Sequence, residues 1–295
     1  KKSVELDLNS DAGREALLRL AAGSEIIFDS GPPGYLASAG ISEADLTSAN
    51  PELVYVLVTA FGADGPRSND PASELSIAAL GGPMSLQGVR ERSPLKVSVP
   101  QAWRHAGAEA ALASLVGYTR MQTTGEPQWI DVSAQAAMTW TLLNAMEAYE
   151  VQGYDFERAG PKVSLAVTID LRRSTRDGYV INAPIGATYG PLIPWLIAEG
   201  IVDESWGDED WSTYDHRALS GERTAMSYDD MLVALDELCS RYTRQELLMR
   251  GIEIGATFAP VNSIQDLLNV NHLEIRDFWR PFKFPAANEP VRRAG

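Results

Sequence analysis

The chain has 295 residues, 45% hydrophobic and 22% charged, with a formal net charge of −15. That is enough apolar mass for one large core or two medium ones, and its charge repels nucleic acid and anionic membrane, so neither is expected as a partner. Cys239 is the single cysteine, no apolar run approaches the roughly 18–20 residues of a membrane span, and no signal peptide is visible, so a cytoplasmic protein is expected.

The chain opens at Lys1-Lys2-Ser3 without Met and stops at Ala294-Gly295, which reads as a fragment with missing ends. Ser3 to Leu8 alternates loosely and predicts a short strand. Ser10 or Asp11 caps a helix through Ala22. Ile26-Ile27-Phe28 predicts a buried strand, and Ser30-Gly31-Pro32-Pro33-Gly34 a rigid loop that lets a ligand approach the backbone. A short helix near Ser42 to Ser48 follows. Leu53 to Ala60 is a continuous apolar run, the mark of a strand buried on both faces of a parallel sheet. Pro71 to Leu80 predicts a helix stopped by Gly81-Gly82-Pro83. Val97-Ser98-Val99-Pro100 is a β-like run feeding a helix from Gln101 to Met121. At such a junction the first N–H groups are expected to be free to meet an anion. Trp129 to Val132 predicts a strand, and Ser133 caps a helix to Tyr149. Strands alternating with helices argue for an open, mostly parallel α/β sheet over residues 1–152.

The texture then changes. Gly153 to Lys162 reads as a linker. Ile169 to Arg173 and Tyr179 to Ala183 flank Arg176-Asp177-Gly178, a hairpin signal. Helical patterns follow at Pro191–Glu199, Tyr228–Tyr242 and Arg244–Arg250. Asp203 to Asp215, with Trp206 and Trp211, reads as an acidic surface loop. Ile254 to Ala259 predicts a strand and Ser263 to Leu268 a helix. Residues 163–270 therefore form a smaller α+β domain, with 271–295 beginning a return to the first.

No Walker loop, GxGxxG, GxSxG or HExxH is present, and His105, His216 and His272 lie too far apart for a local metal site, so no metal is expected. His272 reads as solvated or capping, and Asp208, Glu209 and Asp210 as a solvated charge run. His105 and Glu109 share a helix face, either as an intrahelical pair or with Glu109 orienting His105 as a general base. Glu74 is an exposed helix carboxylate or a reactive one. From the residues alone the reading stops at an acidic, two-part α/β protein with a ligand site at strand ends.

A series of short motifs carries a resemblance. They are Lys2-Ser3-Val4-Glu5-Leu6-Asp7-Leu8, Pro33-Gly34, Asn50-Pro51-Glu52-Leu53-Val54-Tyr55, Phe61-Gly62-Ala63-Asp64-Gly65-Pro66, Glu74 with Gly81-Gly82, Thr124-Gly125 to Asp131-Val132-Ser133, Asp177-Gly178-Tyr179-Val180, and Gly251-Ile252 to Pro260-Val261-Asn262. In this order the chain resembles the family III CoA-transferases, which include formyl-CoA transferase, carnitine CoA-transferase and α-methylacyl-CoA racemase. The resemblance implies a Rossmann-like large domain, a small domain and an interlocked dimer. A first strand-helix unit would precede Lys1 and a tail would follow Gly295. It implies a CoA thioester as substrate, no tightly bound cofactor, and a carboxylic acid as second substrate. CoA contacts would fall on Leu6, Asp7, Leu8, Asn9, Ser30, Gly31, Pro32, Ser38, Ser73 and Glu74. In the transferases an aspartate at the start of the long helix attacks the acyl-CoA, and a mixed anhydride and an enzyme–CoA thioester follow.

Here that position is Trp103, which has no carboxylate. Ser38 stands where the family has a CoA-contacting arginine, and Ser73 where it has a tyrosine or histidine. Trp103 is expected to pack as an apolar plug. Three readings follow: the chain without a nucleophile in a heteromer with an Asp-bearing sister chain, a racemase-type enzyme using Glu74, His105 or Glu109 as acid and base, and a CoA-binding scaffold without turnover. A homodimer is the alternative assembly. Asp203–Asp215 and Trp140 are candidates for shaping the substrate pocket.

Overall fold

An apolar, β-branched run such as Val54-Tyr55-Val56 is stable as a strand where both its faces are covered. The computed structural model, which describes residues 2–164, 168–183 and 186–294, shows how this is met. The expected chain ends at Lys1 and Gly295 lie outside the described residues. The chain divides into two units, Lys1–Gly160 and Pro161–Gly295.

The first unit is built on β1 (Ile26–Asp29), β2 (Val54–Thr59) and β3 (Gln128–Ser133), parallel and in that order. Its helices are α1 (Asp11–Ala22), α2 (Tyr35–Ser38), α3 (Glu43–Ala49), α4 (Glu74–Leu80), α5 (Ala102–Thr124), α6 (Ala134–Trp140) and α7 (Leu143–Gln152). Successive side chains of a strand point to opposite faces. Val54 and Val56 pack with Ile77, Ala102, Ala106 and Met138 from α4, α5 and α6. Leu53 and Tyr55 pack with Ala21, Ile41 and Leu46 on the other side. The expected parallel α/β sheet is therefore present, three strands wide among the described residues. The close approach of α5 depends on Gly117, where a Cβ would lie 2.7 Å from Ile130 Cδ1 and 3.2 Å from Val54 Cγ1.

Three expectations for this unit are corrected. Ser3 to Leu8 is irregular rather than a strand; the Asp7 side chain instead accepts the Asn9 N–H at 3.0 Å and shapes a turn into α1. Val97 to Val99 forms no strand either, and both valines are exposed. The helix from Ser133 to Tyr149 is broken at Thr141-Leu142 into α6 and α7. Ser133 caps α6 as expected, but the Thr139 and Thr141 hydroxyls bond back to the Gln135 and Met138 carbonyls, which loosens the helix there. The Gly153–Lys162 linker is anchored, since Arg158 donates to the carbonyls of Ser85, Val89 and Arg92.

The second unit holds a two-stranded pair, β4 (Lys162–Ser164) with β5 (Thr168–Asp170), and a three-stranded antiparallel sheet of β6 (Arg172–Thr175), β7 (Gly178–Ile181) and β8 (Ala259–Pro260). The hairpin at Arg176-Asp177 is where the sequence puts it. The helices are α8 (Gly186–Tyr189), α9 (Ile193–Ala198), α10 (Tyr214–Leu219), α11 (Tyr228–Ser240), α12 (Arg244–Ile254), α13 (Ile264–Leu267) and α14 (Asn271–Ile275). An antiparallel ribbon, β9 (Trp279–Phe282) with β10 (Val291–Ala294), follows. The strand expected at Ile254 to Ala259 is mostly absent: α12 runs on to Ile254, and Gly255, in the left-handed region at φ 77°, ends it. Buried Arg173 pairs with Asp236 at 2.9 Å. Burial pushes the Cys239 thiol up to about 12.

Asp203 to Asp215 keeps most of its residues at the surface, as expected, but it is anchored from within. Trp211 is 8% exposed and packs in the core with Tyr189, Leu192 and Tyr214. Its indole N–H donates to the Trp206 carbonyl at 3.0 Å, and Glu209 is held by Arg217. The acids at Asp203 and Asp210 cap local turns while the tryptophans turn inward. Among the described residues no helix is long and apolar enough to cross a membrane, and no group of three or more His, Cys, Asp or Glu is placed to hold a metal. Trp211→Ala is expected to destabilise this unit by about 3–5 kcal/mol, read as a lowered midpoint of urea unfolding. A true surface residue would change it by within about 0.5 kcal/mol.

Candidate functional site

Because the three strands are parallel, their carboxyl ends meet at one edge of the sheet, at Asp29, Thr59 and Ser133. In open α/β sheets this edge is where ligands bind. Each end carries a polar side chain that shapes the loop following it. One Asp29 oxygen accepts the Gly31 N–H at 2.7 Å and the other accepts the Tyr55 hydroxyl. Burial, with the bond to Asp29, raises the Tyr55 pKa. Thr59 Oγ1 accepts the Gly62 N–H at 2.8 Å, and Asp131 accepts the Ala63 N–H at 2.9 Å. Asp29 is a residue the sequence analysis missed; an aspartate two residues before a glycine N–H is a recognisable turn signal.

The Ser30–Gly34 loop is half open to solvent: Ser30, Pro32 and Ser38 are exposed and Gly31 is half-buried. Asp7 and Asn9 are exposed, Leu6 and Leu8 half-buried. Arg14, also missed, ties the Leu8–Asn9 segment to the end of α2. Its guanidinium donates to the carbonyls of Leu8 and Asn9, both at 3.1 Å, and of Ala39 at 3.5 Å. It brings Leu6–Asn9 beside Ser38, and only the folded chain shows this.

The start of α5 differs from expectation. Gln101, at its N-cap, makes no side-chain cap. The first N–H groups are not free, because Glu74 takes them. Glu74 Oε1 accepts the N–H of Gln101 at 2.5 Å and of Ala102 at 2.9 Å, and Oε2 that of Trp103 at 3.5 Å. Partial burial works to raise the Glu74 pKa, but these three donors and the Lys96 charge outweigh it, and the carboxyl sits below its usual range. Ser73 is the N-cap of α4, in a reciprocal pair with Ser76. Glu74 is thus a half-buried, fully engaged carboxylate, neither exposed nor idle.

Trp103 is 41% exposed and packs as no plug within this chain. His105 Nδ1 lies 2.9 Å from the Gln101 carbonyl, while Glu109 is exposed and makes no contact with it. The candidates Glu74, Trp103 and His105 therefore gather at one helix start, and Glu109 stands one turn further on, pointing to solvent.

At the end of β3, Phe61, Ala136, Trp140, Leu143 and Met146 line an apolar groove of about 500 Å³. Its polar members are satisfied internally: Gln135 donates to the Leu80 carbonyl and Thr139 to that of Gly81. Trp140 is 63% exposed in it. The groove is suited to an uncharged group.

The profile of CoA-transferase family III matches residues 1–294. The chain is 31% identical over 291 residues to the succinyl-CoA:(R)-benzylsuccinate CoA-transferase subunit BbsE of Thauera aromatica, covering 95% of this chain and 67% of that one. It is 29% identical to the probable CoA-transferase Rv1866 of Mycobacterium tuberculosis, covering 93% of this chain but 34% of that protein. The chain thus spans two thirds and one third of these relatives' lengths. Its fold matches the crystal structure of a CAIB/BAIF family protein from Brucella suis with a TM-score of 0.73 and 25% identity, over 100% of this chain and 78% of that one. With the parallel sheet, the ordered motifs and the full-length profile in agreement, the chain belongs to CoA-transferase family III.

Proposed function

We propose that the chain takes part in moving coenzyme A between an acyl-CoA and a carboxylic acid, as the member of an assembly that lacks the nucleophilic aspartate. The observation that carries this is Trp103 at the first turn of α5. Indole cannot attack a thioester carbonyl and expel CoA thiolate to give an acyl anhydride, whereas a carboxylate at that point can. The nearest carboxylate, Glu74, is spent as a cap. A carboxylate whose two oxygens accept three N–H bonds between them, and whose pKa lies below its usual range, is a poor nucleophile. An Asp-bearing sister chain supplies the attacking group in this reading, and this chain completes the interlocked fold.

The relative from Thauera is by name one subunit of its enzyme, which supports an assembly of unlike chains and succinyl-CoA as donor. The groove at Phe61 and Trp140 supports an acceptor acid with an apolar portion. The CoA thioester, a substrate rather than a bound cofactor, lies against Leu6–Asn9, Ser30–Pro32 and Ser38, and Arg14 holds the first of these segments beside the last. The single, buried Cys239 supports a cytoplasmic setting.

The full chain alone, given succinyl-CoA and then hydroxylamine, is expected to yield no hydroxamate by peptide mass analysis. Mixed with an Asp-bearing family chain encoded beside it, the hydroxamate is expected on that aspartate. A hydroxamate on Glu74 or Glu109 of the lone chain sinks the reading. Glu74→Gln is expected to cost about 1 kcal/mol of stability at neutral pH, through loss of an anionic cap. Folding lowers the Glu74 pKa, so its contribution is present above the ordinary carboxylate range and lost as pH falls through the lowered value. The gap between wild type and variant in urea unfolding should therefore close in acid.

A further inference from the structure

Holding the nucleotide end of coenzyme A is an electrostatic task. A phosphate monoester such as its 3′-phosphate carries about −1.5 to −2 charges at neutral pH, and a site for such a group offers cations or free backbone N–H groups. The segments Leu6–Asn9 and Ser30–Ser38 contain no Lys, Arg or His. Arg14 packs against them, but its guanidinium is occupied. It donates to the carbonyls of Leu8, Asn9 and Ala39 and pairs with Asp11.

The neutral donors of these segments are occupied as well. Asp7 accepts the Asn9 N–H at 3.0 Å and the Asn9 side-chain amide at 3.3 Å. Asp29 accepts the Gly31 N–H at 2.7 Å. Pro32 and Pro33 have no N–H to give, and the Tyr35 N–H turns back to the Pro32 carbonyl at 3.0 Å. The Ser38 hydroxyl donates to the Tyr35 carbonyl at 2.7 Å. The start of α1, which could otherwise meet an anion, is capped by Ser10 and carries Asp11 in its first turn. What stands against a ligand here is negative. The carboxylates of Asp7 and Asp29 are held by N–H and O–H donors and, among the described residues, by no cation.

We propose that this cradle holds its thioester through the uncharged pantetheine arm and makes no attractive contact with the phosphates of coenzyme A. Its ligand class is then the pantetheine thioesters, and the 3′-phosphate is no part of what it recognises. The inference rests on the reading that the thioester lies against these segments. Charge also fixes the sign of the salt effect. At a site built from cations, salt weakens the binding of a phosphate. Here Asp7, Asp29 and a net charge of −15 oppose an anionic ligand, so salt screens a repulsion and tightens binding.

The test is a calorimetric titration of the full chain with CoA, dephospho-CoA and pantetheine, at about 0.02 M and about 0.2 M salt. CoA and dephospho-CoA are expected to bind within about threefold of each other, and both more tightly at the higher salt. Pantetheine is expected to bind within about tenfold of them. A preference of about tenfold or more for CoA over dephospho-CoA, an affinity for CoA that falls with salt, or failure of pantetheine alone to bind overturns the proposal and leaves the thioester in place. Failure of all three to bind overturns the reading beneath it, and the proposal with it. Ser38 is exposed, so Ser38→Arg supplies a cation without disturbing the core. This variant is expected to favour CoA over dephospho-CoA on the order of tenfold and to reverse the salt effect. An unchanged preference also overturns the proposal.

Discussion

The interaction on which the first unit depends is the bond between one carboxylate and the start of one helix. Helix α5 begins without a side-chain cap of its own, so its first N–H groups need an acceptor from elsewhere. Glu74 supplies it from the first turn of α4. The bond fixes α4 against α5, which lets Ile77 pack with Ala102 and Ala106 over Val54 and Val56. It also sets where Trp103 stands. A group that looks reactive in sequence is consumed by the architecture.

The same economy recurs along the carboxyl edge of the sheet. Asp29, Thr59 and Ser133 each spend an oxygen on a backbone N–H of the loop or helix that follows, and Asp131 spends one on the loop after the neighbouring strand β2. The edge is rich in polar residues, yet its carboxylates at Asp29, Glu74 and Asp131 are all engaged in holding backbone. What remains open there is the exposed Trp103 and the apolar groove at Trp140. A surface of that kind shapes and receives a substrate more readily than it attacks one, which is the physical basis for proposing that another chain supplies the nucleophile.

Much of the first unit was legible in the sequence because its elements are decided locally. The apolar run of Val54–Thr59 cannot be stable in water, and Ser10, Ser42 and Ser133 announce helix starts by chemistry that acts over three residues. The hairpin at Arg176-Asp177-Gly178 is equally local. Some misreadings, at Ser3–Leu8, Thr141-Leu142 and Gly255, turn on local bonds and caps, while others concern residues whose state is set at a distance. Val97–Val99 has strand-like residues but no neighbouring strand to pair with. The Asp203–Asp215 segment has the acids of a surface, and only the core of Tyr189, Leu192 and Tyr214 draws Trp211 inward.

The sequence by itself determined the alternation of strands and helices, the ordered motifs of CoA-transferase family III, and an indole at Trp103, where the family resemblance implies a carboxylate. These are properties of residue type and spacing, which the chain carries before it folds. Only the tertiary structure decided that Glu74 caps α5 rather than facing solvent, that Arg14 joins Leu8 and Asn9 to Ala39, and that α7 and the β9–β10 ribbon are left uncovered. The first two are hydrogen bonds across 27 and 25 residues of chain, and the third is a matter of which surfaces the core leaves over. No local pattern encodes the partner of a long-range bond, because that partner is chosen by the packing of everything between.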